Sequence, residues 1–443
     1  MSSERKGTVG KGTAIAIFLV ALIVGLAIGI AAAPYFAPPS APVVTTIAGS
    51  VTTIAQPAGL SGEITIGAIL PLTGDLATFG ENDKLAAEIA TTEINQFLRS
   101  AGAPWTLKLV VEDTGTNPTI ALEKITSMNA KGIKLVIGPM SSGEVRNIKG
   151  YVDANKILLI SPSSTAPDLA IPGDYVYRYC PDDTIQGLAI ARVMYELGIR
   201  AIVPVWRGDA WGDGLQAAAS KRFQALGGTV AEGVRYAPEA KEFSAEARSL
   251  ADKVDSLVKS EGLTKDKVGV YLIAFEEAAL MFTYMQEYPV LSSVKWFGSD
   301  GTANSAKLRE EKAAADFSMK TEFLNTIFAA TKSEKFKKLN DQIYTTLGRT
   351  PETYAIVSYD EMWILALSLL AAQKYDADAI IKVMPTVLSN YFGASGLITL
   401  NSAGDRASAD YDLWAIMVMD GKPTWMGLGT YVFATDSVSW VAA

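Results

Sequence analysis

The sequence predicts an α/β fold with two lobes, each built around a doubly wound parallel sheet. From Glu63 onward, short apolar runs alternate with segments of helical periodicity, and this alternation is typical of parallel sheets. After residue 179 the alternation begins again at residue 201, so two units of similar size follow one another. The chain has 443 residues, of which 49% are hydrophobic, and this is enough apolar material for large buried cores.

The first unit contains a series of predicted strands and helices. Each predicted strand is a short apolar run that ends at turn residues, as is typical of strands buried on both faces of a sheet. Helical periodicity predicts helices at about residues 81–98 and 119–130, and a further helix-length segment follows residue 141. The predicted strands are residues 64–70, 107–111, 133–137, 157–160 and 175–179.

The second unit repeats the pattern. Gly227 and Gly228 end its first helix as a C-terminal glycine does. Two charge-rich segments, residues 307–320 and 332–338, are predicted to be solvated helix faces. The predicted strands are residues 201–206, 229–236, 268–273 and 294–297, and the predicted helices are residues 212–226, 243–260 and 276–288.

The N-terminal residues precede both units. Residues 1–12 form a basic flank, and residues 13–33 carry no charge and would span about 31 Å as a helix, which matches the core of a bilayer. Because the basic flank should stay in the cytoplasm, this transmembrane helix is predicted to anchor the chain on the extracytoplasmic face of the cell membrane. The alternative is a cleaved signal peptide, which would leave a secreted or periplasmic protein. Residues 34–62, which are uncharged and rich in Pro, Thr and Ser, are predicted to form a tether.

Composition excludes several classes of function. The chain has no histidine and one cysteine, Cys180. It therefore has no Ser-His-Asp or Cys-His arrangement, no imidazole metal site and no intrachain disulfide. The net charge of −8 argues against nucleic acid, which needs a basic face. We expect no enzymatic activity, no metal and no other cofactor.

Two hydroxyl-rich loops, residues 138–143 and 161–166, follow neighbouring predicted strands. Because a single helix-length segment separates these strands, both loops should leave the same edge of the sheet, where open α/β sheets bind ligands. Backbone N–H groups at a helix start suit an anion. The alternative is that these residues only form turns and helix caps. The candidate ligand-binding residues of the loops are Ser141, Ser142, Ser163, Ser164 and Thr165.

Four further residues could hold a ligand. Asp300 lies directly after the predicted strand 294–297, although an ordinary turn aspartate before glycine is the alternative. Phe79, Trp211 and Phe275 are large aromatic residues in or near loops. For these three, packing in the core or at its edge is the alternative.

Several motifs resemble those of one protein family. IGPMSSGE and LLISPSSTAPDL are similar to the ligand loops of the leucine/isoleucine/valine-binding protein family, and IGAILPLTGDLATFGENDKLAAEIATTEIN, from Ile66, resembles its first strand, loop and helix. VYRYCPDD, FGSDGTANS and VSYDEMWILALSLL also resemble landmarks of this family, in the family's order, over residues 63–430. Its members are bilobed type I periplasmic binding proteins that feed ABC transporters.

The resemblance implies more about the fold than the periodicity does. It implies that the chain crosses between the lobes three times, near residues 181, 327 and 412, in a three-strand hinge. The implied division is lobe 1 at residues 63–181 and 327–412, and lobe 2 at residues 182–326 and 413–443.

The resemblance also implies roles for the candidate residues. Ser142 and Thr165, with Ser141 and Ser163 beside them, occupy the places that hold the α-carboxylate of an amino acid. Asp300 stands where an acidic residue of the family pairs with the α-ammonium.

The aromatic candidates would form the pocket for the ligand side chain. Phe79 takes the place of an aromatic residue that touches this side chain. Trp211 and Phe275 stand where the family has tyrosines, so the pocket would be more apolar.

These inferences predict an extracytoplasmic solute-binding protein that delivers an amino acid, branched-chain or otherwise apolar, to the permease subunits of an ABC importer. One alternative is the same fold binding a small amide, urea or another polar solute. A second alternative is a ligand-sensing receptor ectodomain. An enzyme on the same scaffold is the third, and the absence of histidine counts against it.

Overall fold

The structure, a computed structural model, describes residues 59–260 and 262–441. The predicted basic flank, transmembrane segment and all but the end of the tether lie outside the described residues. The strands are β1 (Gly62–Leu70), β2 (Trp105–Asp113), β3 (Leu135–Ile137), β4 (Leu158–Ser161), β5 (Val176–Arg178), β6 (Ala201–Arg207), β7 (Thr229–Val230), β8 (Val234–Tyr236), β9 (Val268–Ile273), β10 (Lys295–Gly298), β11 (Leu324–Phe328), β12 (Phe392–Gly393), β13 (Gly396–Leu397), β14 (Tyr411–Met419), β15 (Lys422–Val432) and β16 (Ser437–Trp440).

The helices lie between these strands along the chain. They are α1 (Ala77–Ser100), α2 (Pro118–Ala130), α3 (Ser142–Ala154), α4 (Asp183–Glu196), α5 (Ala210–Ala225), α6 (Ser244–Ser260), α7 (Ala278–Met285), α8 (Ala306–Glu310), α9 (Lys312–Lys320), α10 (Glu334–Leu347), α11 (Thr353–Ala372) and α12 (Ala377–Ser389).

The first sheet is parallel throughout and has the strand order β2-β1-β3-β4-β5. Its central strands are buried on both faces, as their continuous apolar runs predict. Alternate side chains of β3 show this, because Leu135 and Ile137 join the core that contains α1 and α11, whereas Val136 joins the core that contains α2 and α3. This doubly wound arrangement leaves the carboxyl ends of the strands as the open edge.

The second sheet is mixed, which corrects the prediction of a purely parallel lobe. Its order is β16-β15-β14-β11-β10-β9-β6-β7, with β8 also paired to β6. The strands from β6 to β11 are parallel, but β14, β15 and β16 run antiparallel. β14 is antiparallel to β11 because the chain re-enters the sheet at Tyr411, which pairs with Phe328 at the end of β11. β15 is antiparallel to β14 because of the turn at Asp420 and Gly421, where both residues have positive φ. Such a turn closes a hairpin, and hairpin strands must be antiparallel.

A second correction concerns residues 229–236, which form two short strands instead of one. β7 pairs with β6 at Ile202, and β8 pairs with it from Val205. Pro204 lies between these two pairing segments and has no N–H to donate to a neighbouring strand. The hydrogen-bond ladder is therefore interrupted opposite this proline.

The chain passes between the two sheets after β5, after β11 and after β13. The helices α10, α11 and α12, which follow β11, pack on the first sheet, and β14 returns to the second. β11 ends at Phe328 and β14 begins at Tyr411, and the two strands pair with each other. Ile327 therefore belongs to the second sheet. The exact residues at which each lobe ends stay a prediction.

One helix in the described part of the chain, α11, is long and apolar enough to cross a bilayer, with a mean hydropathy of 1.5. Of the 18 most apolar consecutive residues of this helix, 72% are buried inside the protein. α11 packs against α1, α12 and β3. It therefore forms the centre of the first lobe's core.

Candidate functional site

A small cavity lies where the carboxyl ends of strands from both sheets meet. Its volume is about 20 Å³, which is room for about one water. Sites for small ligands usually have ~300–1,000 Å³, so a ligand can enter this cavity only if the lobes or the lining side chains move. The lining residues are Leu76, Phe79, Met140, Ser141, Ser142, Ser163, Trp211, Phe275, Asp300, Gly301 and Tyr354.

The structure brings most of the candidate residues together at this cavity. The seven that line it are Phe79, Ser141, Ser142, Ser163, Trp211, Phe275 and Asp300. Ser164 and Thr165 are buried beside them but do not line it. The cavity thus places the two hydroxyl loops of the first lobe opposite a carboxyl and aromatic rings of the second.

The first hydroxyl loop forms the N-terminus of α3. Ser141 is the N-cap, and its Oγ accepts a hydrogen bond from the Glu144 N–H at 3.2 Å and donates one to Glu144 Oε2 at 2.7 Å. For Ser141, the capping role that was the alternative is therefore present. Burial raises the pKa of the Glu144 carboxyl. Ser142 Oγ accepts a hydrogen bond from the Ala166 N–H at 3.0 Å, which joins the two loops.

The second hydroxyl loop follows β4. Ser161 Oγ donates to the Pro139 carbonyl at 2.6 Å and accepts from the Ser164 N–H at 3.1 Å. Ser163 Oγ donates to the Met140 carbonyl at 3.0 Å. The hydroxyls of Ser164 and Thr165 are buried and have no hydrogen-bond partner among the described residues. The Ser164 hydroxyl retains its capacity to donate, whereas the Thr165 hydroxyl faces the Asp183 carboxyl.

Arg178, which sequence reasoning missed, holds this second loop in shape. Its Nη1 donates to the carbonyls of Ser164 and Ala166, at 2.9 and 2.7 Å. Its Nε and Nη2 form a bidentate pair with Asp405, both at 2.6 Å, and both side chains are 1% exposed. The signal for this role was a lone arginine within the apolar strand VYRYC. The pair fixes the loop backbone beside the cavity.

Asp300 supplies the buried carboxyl of the second lobe. Its Oδ1 accepts a hydrogen bond from Gln186 Nε2 at 2.9 Å, and its Oδ2 accepts one from the Tyr354 hydroxyl at 2.6 Å. Burial raises the pKa of the Asp300 carboxyl. Sequence reasoning missed Gln186 and Tyr354 because each lies on a helix, and only the tertiary fold brings them to the end of β10.

The second lobe contributes two stacked aromatic rings to the wall of the cavity. Trp211, at the start of α5, stacks on Phe275 with ring centroids 4.5 Å apart and an interplanar angle of 15°. The Arg207 guanidinium lies over the Phe275 ring at 4.8 Å. Arg207 is itself buried and pairs with Glu277 at 2.9 Å and Asp75 at 3.1 Å. The Arg207 side chain therefore packs on the stacked rings and also forms an ion pair with Asp75 of the first lobe.

Contacts between the lobes hold the cleft closed. Asp75 and Thr78 come from the first lobe, in and just after the loop that follows β1. The Thr78 hydroxyl donates to Glu276 Oε1 at 2.6 Å, and the Glu276 N–H donates to the Asp75 carbonyl at 3.0 Å. With the Asp75–Arg207 ion pair, these contacts join the mouth of the cleft. The described residues contain no group of three or more His, Cys, Asp or Glu residues suited to a metal ion.

Comparisons with known proteins identify relatives over most of the chain. Residues 82–418 match the family described as receptor family ligand binding region. An uncharacterized protein of Methanocaldococcus jannaschii is 35% identical and covers 88% of this chain and 94% of its own length. The Leu/Ile/Val-binding protein BraC3 of Rhizobium johnstonii is 27% identical and covers 80% of this chain and 91% of its own length.

Solved structures share the fold. The leucine binding protein LivK of Thermotoga maritima superposes with a TM-score of 0.66 at 23% identity and covers 82% of this chain and 97% of its own. A solute binding protein of an ABC transporter from Rhodopseudomonas palustris, in complex with 3,4-dihydroxy benzoic acid, superposes with a TM-score of 0.67 at 15% identity. It covers 83% of this chain and 97% of its own.

Proposed function

This chain belongs to the receptor family ligand binding region and to the type I periplasmic binding proteins, and from this premise we propose that it is the solute-binding protein of an ABC importer and that its ligand is an amino acid. Relatives named as Leu/Ile/Val-binding proteins support this proposal. So does the likeness to LivK, which is named a leucine binding protein. We propose no enzymatic role.

The observation that carries the proposal is the polarity of the cavity. One end has the N-terminus of α3 and the hydroxyl loops, whose Ser142 lines the cavity and whose Thr165 lies behind it. The other end has one buried carboxyl, that of Asp300. A zwitterion matches this arrangement, because its carboxylate meets donors and the positive helix end. Its ammonium would meet the carboxyl of Asp300.

The apolar wall supports an uncharged, apolar ligand side chain. Phe79 and Leu76 line the cavity from the first lobe, and the stacked Trp211 and Phe275 line it from the second. Such walls select by shape and by apolar contact, whereas the few polar groups set the orientation of the ligand.

The lobes provide the capture mechanism. A ligand that contacts donors in one lobe and Asp300 in the other binds both lobes only when the cleft is closed. Closure excludes water and so strengthens both polar contacts. Asp75 and Glu276, which already connect the lobes, would stabilise this closed state.

A thermal-shift screen of the full-length chain in detergent tests the ligand class. The screen contains the standard amino acids, small amides, urea and 3,4-dihydroxybenzoic acid. A ligand at one hundred times its dissociation constant should raise the free energy of unfolding by about 2.7 kcal/mol. We expect leucine, isoleucine or valine to give the largest shift. If only urea or an amide stabilises the chain, the polar-solute alternative replaces the amino acid.

An aromatic acid is the second candidate ligand. Phe79, Trp211, Phe275 and Tyr354 all line the cavity with rings, and both carboxylate oxygens of Asp300 already accept hydrogen bonds. An aromatic acid has no ammonium and would need only the donors of the hydroxyl loops. The same screen separates the candidates, because an aromatic acid that stabilises the chain more than leucine does would replace the first proposal.

We also propose the importer partnership and the membrane anchor. The anchor rests on the uncharged segment 13–33 and its basic flank. Mass spectrometry of the protein purified from its own membranes should find the original N-terminus, and a start near residue 34 would instead indicate a cleaved signal peptide. Copurification with permease subunits would support the importer, and copurification with a signalling protein would support the receptor ectodomain.

A further inference from the structure

A second buried carboxyl, that of Asp183, lies behind the cavity. Asp183 is in the first turn of α4 and is fully buried. Its Oδ1 accepts a hydrogen bond from Gln186 Nε2 at 3.0 Å, and its Oδ2 has no partner among the described residues. Its N–H donates to the carbonyl of Thr165 at 2.8 Å. Asp183 therefore contacts the second hydroxyl loop but does not line the cavity.

A single amide nitrogen joins this carboxyl to the one in the cavity. Gln186 Nε2 donates one hydrogen bond to Asp183 Oδ1 at 3.0 Å and another to Asp300 Oδ1 at 2.9 Å. The two carboxyl oxygens therefore lie no more than about 6 Å apart. Gln186 Oε1 is also engaged, because it accepts from the Asp300 N–H and from the Thr326 hydroxyl, both at 3.1 Å. These four hydrogen bonds hold the Gln186 amide in one orientation, with its nitrogen between the carboxyls of Asp183 and Asp300.

No cation balances the two carboxyls. Within the described part of the chain, no lysine or arginine forms a hydrogen bond or an ion pair with either of them. The other titratable groups that face the pair are acids or neutral groups. They are Asp182 at the cap of α4, Cys180 after β5, Tyr271 on β9, Tyr354 on α11 and Tyr411 on β14.

Two carboxyls this close in a dry interior cannot both be ionised without a cation. Burial, and then the neighbouring Asp300, raise the pKa of Asp183 well above its ordinary value. Burial also raises the pKa of Asp300. The Tyr271 hydroxyl, buried and without a partner among the described residues, adds no positive charge.

We propose that Asp183 and Asp300 share one proton in the unliganded cleft, and that the ammonium group of the ligand displaces this proton into the solvent. This inference rests on the proposed amino-acid function. The positive charge of the ammonium replaces that of the proton, so the net charge of the site does not change. The site therefore selects a cationic group by exchange, and its affinity for an amino acid depends on pH.

The direction of the dependence follows from mass action. Since binding releases a proton, affinity increases as pH rises, by at most tenfold for each pH unit while the unliganded pair is protonated. Above the pKa of the pair the dependence disappears. A ligand without the ammonium releases no proton, and its affinity lacks this dependence.

Isothermal titration calorimetry of the full-length chain in detergent tests the exchange, with L-leucine as the probe. At each pH, the titration is repeated in two buffers that both hold that pH but differ in ionisation enthalpy, such as phosphate and imidazole near neutrality and acetate and piperazine near pH 5. The two heats differ by the number of protons released multiplied by the difference in ionisation enthalpy. We expect release of up to one proton for each leucine at the lower pH values between 5 and 8. The matched ligand is 4-methylpentanoate, which is leucine without its ammonium group, and it should release none. Equal leucine heats in both buffers throughout this range would overturn the proposal.

Two variants assign the proton to the pair. Asp183→Asn removes one of the two carboxyls and leaves the cavity lining intact, so leucine should bind and the proton release should fall or move to lower pH. Asp182→Asn makes the same change one residue earlier, at a position where asparagine also caps the helix, and should release nearly as many protons as the parent. Unchanged release by Asp183→Asn would contradict the shared proton.

A measurement without ligand separates this inference from the proposed function. Infrared difference spectra between the parent and Asp183→Asn should show the loss of one protonated carboxyl band near neutral pH. If no amino acid of the screen binds, the amino-acid function is wrong, and the infrared band still decides whether the pair holds a proton. The absence of such a band would overturn the inference even if leucine binds tightly.

Discussion

At the cleft, some side chains hold the loops and others line the cavity. Arg178 holds the second hydroxyl loop through two backbone carbonyls and is fixed by Asp405. Asp300 lines the cavity. Their substitution should therefore have different effects, one mainly on stability and the other mainly on binding.

Replacement of Asp300 by asparagine should weaken binding of an amino acid by more than tenfold. Loss of one partner of a buried charge pair usually costs ~2–5 kcal/mol, and about 1.4 kcal/mol corresponds to a factor of ten. Thr165→Ala should have a smaller effect, because backbone donors to the carboxylate remain. Calorimetry with the best amino acid of the screen measures both. If Asp300→Asn binds that amino acid as tightly as the parent does, the ammonium lies elsewhere.

Replacement of Arg178 by methionine should lower the free energy of unfolding by about 3–5 kcal/mol, because it leaves Asp405 buried without a cation. The control is Arg146→Met, whose ion pair with Asp168 is about half exposed, at 50% and 52%. It should change stability by less than about 1 kcal/mol. Chemical denaturation compares the two variants. Equal losses would show that the Arg178–Asp405 pair contributes no more than a surface ion pair.

At the level of helices and strands, the loop after β1 connects the lobes at the mouth of the cleft. It is itself held in the first lobe, because Asp113 accepts hydrogen bonds from the Leu72 N–H at 2.8 Å and the Thr73 hydroxyl at 2.7 Å. Asp75 then extends from this fixed loop to Arg207 of the second lobe at 3.1 Å. Through this ion pair, the loop couples the position of the first lobe to that of the second.

Replacement of Asp75 by alanine should favour the open state. The variant loses the ion pairs of Asp75 with Arg207 and with Lys241, while Arg207 retains Asp209 and Glu277. We expect a larger radius of gyration without ligand and ligand binding about fivefold weaker, which corresponds to about 1 kcal/mol. Small-angle scattering and calorimetry measure these changes. Asp209→Ala removes a partner within the second lobe and should not open the cleft. If it opens the cleft as much as Asp75→Ala does, the connection between the lobes is not the cause.

The elements that periodicity predicts are those buried on both faces. β9 has the predicted bounds of 268–273, and all six of its residues are buried. The strands β14, β15 and β16 were missed because they are partly exposed and the helical alternation stops before them. β14 even leaves Met417, Val418 and Met419 exposed. Its pairing with β15 depends on the turn at Asp420 and Gly421 instead of on an apolar run.

Sequence patterns predicted part of the candidate site for a similar reason. Residues in the loop that follows a predicted strand, such as Ser141 and Asp300, could be placed at the edge of a sheet. Asp183 and Gln186 lie one turn apart on α4, but Tyr354 and Asp300 lie far from them in the chain, so no local pattern brings these residues to one point. Polar residues on helices are usually solvent-facing, and only the packing of α4 and α11 buries Asp183, Gln186 and Tyr354.

For the whole molecule, a second group of buried acids lies in the core of the first lobe. Asp83, Glu352 and Glu361 are at most 1% exposed, and oxygens of all three have no partner among the described residues. Burial raises the pKa of Glu352 to about 7. Burial, and then Glu352, raise the pKa of Asp83 well above its usual value. The folded chain therefore holds protons that the unfolded chain gives up.

The free energy of unfolding should fall as pH rises across neutrality. Since the pKa of Glu352 is higher in the folded chain, its contribution is fully present below about 4.5 and is lost as pH rises through about 7. One such group contributes roughly 3 kcal/mol. Glu352→Gln should flatten this dependence, whereas Glu239→Gln, at an exposed position, should leave it unchanged. Denaturation at pH 5 and pH 8 measures it, and equal stability of the parent at both values would contradict the prediction.

The interruption at Pro204 has a consequence for the protein in a crowded solution. A long unpaired strand at the margin of a sheet is a template on which another chain can add and start an aggregate. At one margin of the second sheet, β7 has two residues and β8 has three, with a break between them. At the other margin, β16 has four. An intruding strand would find too few backbone donors and acceptors in line at either margin of this sheet, so the proline that breaks the ladder also makes one margin of the second sheet a poor template for another chain.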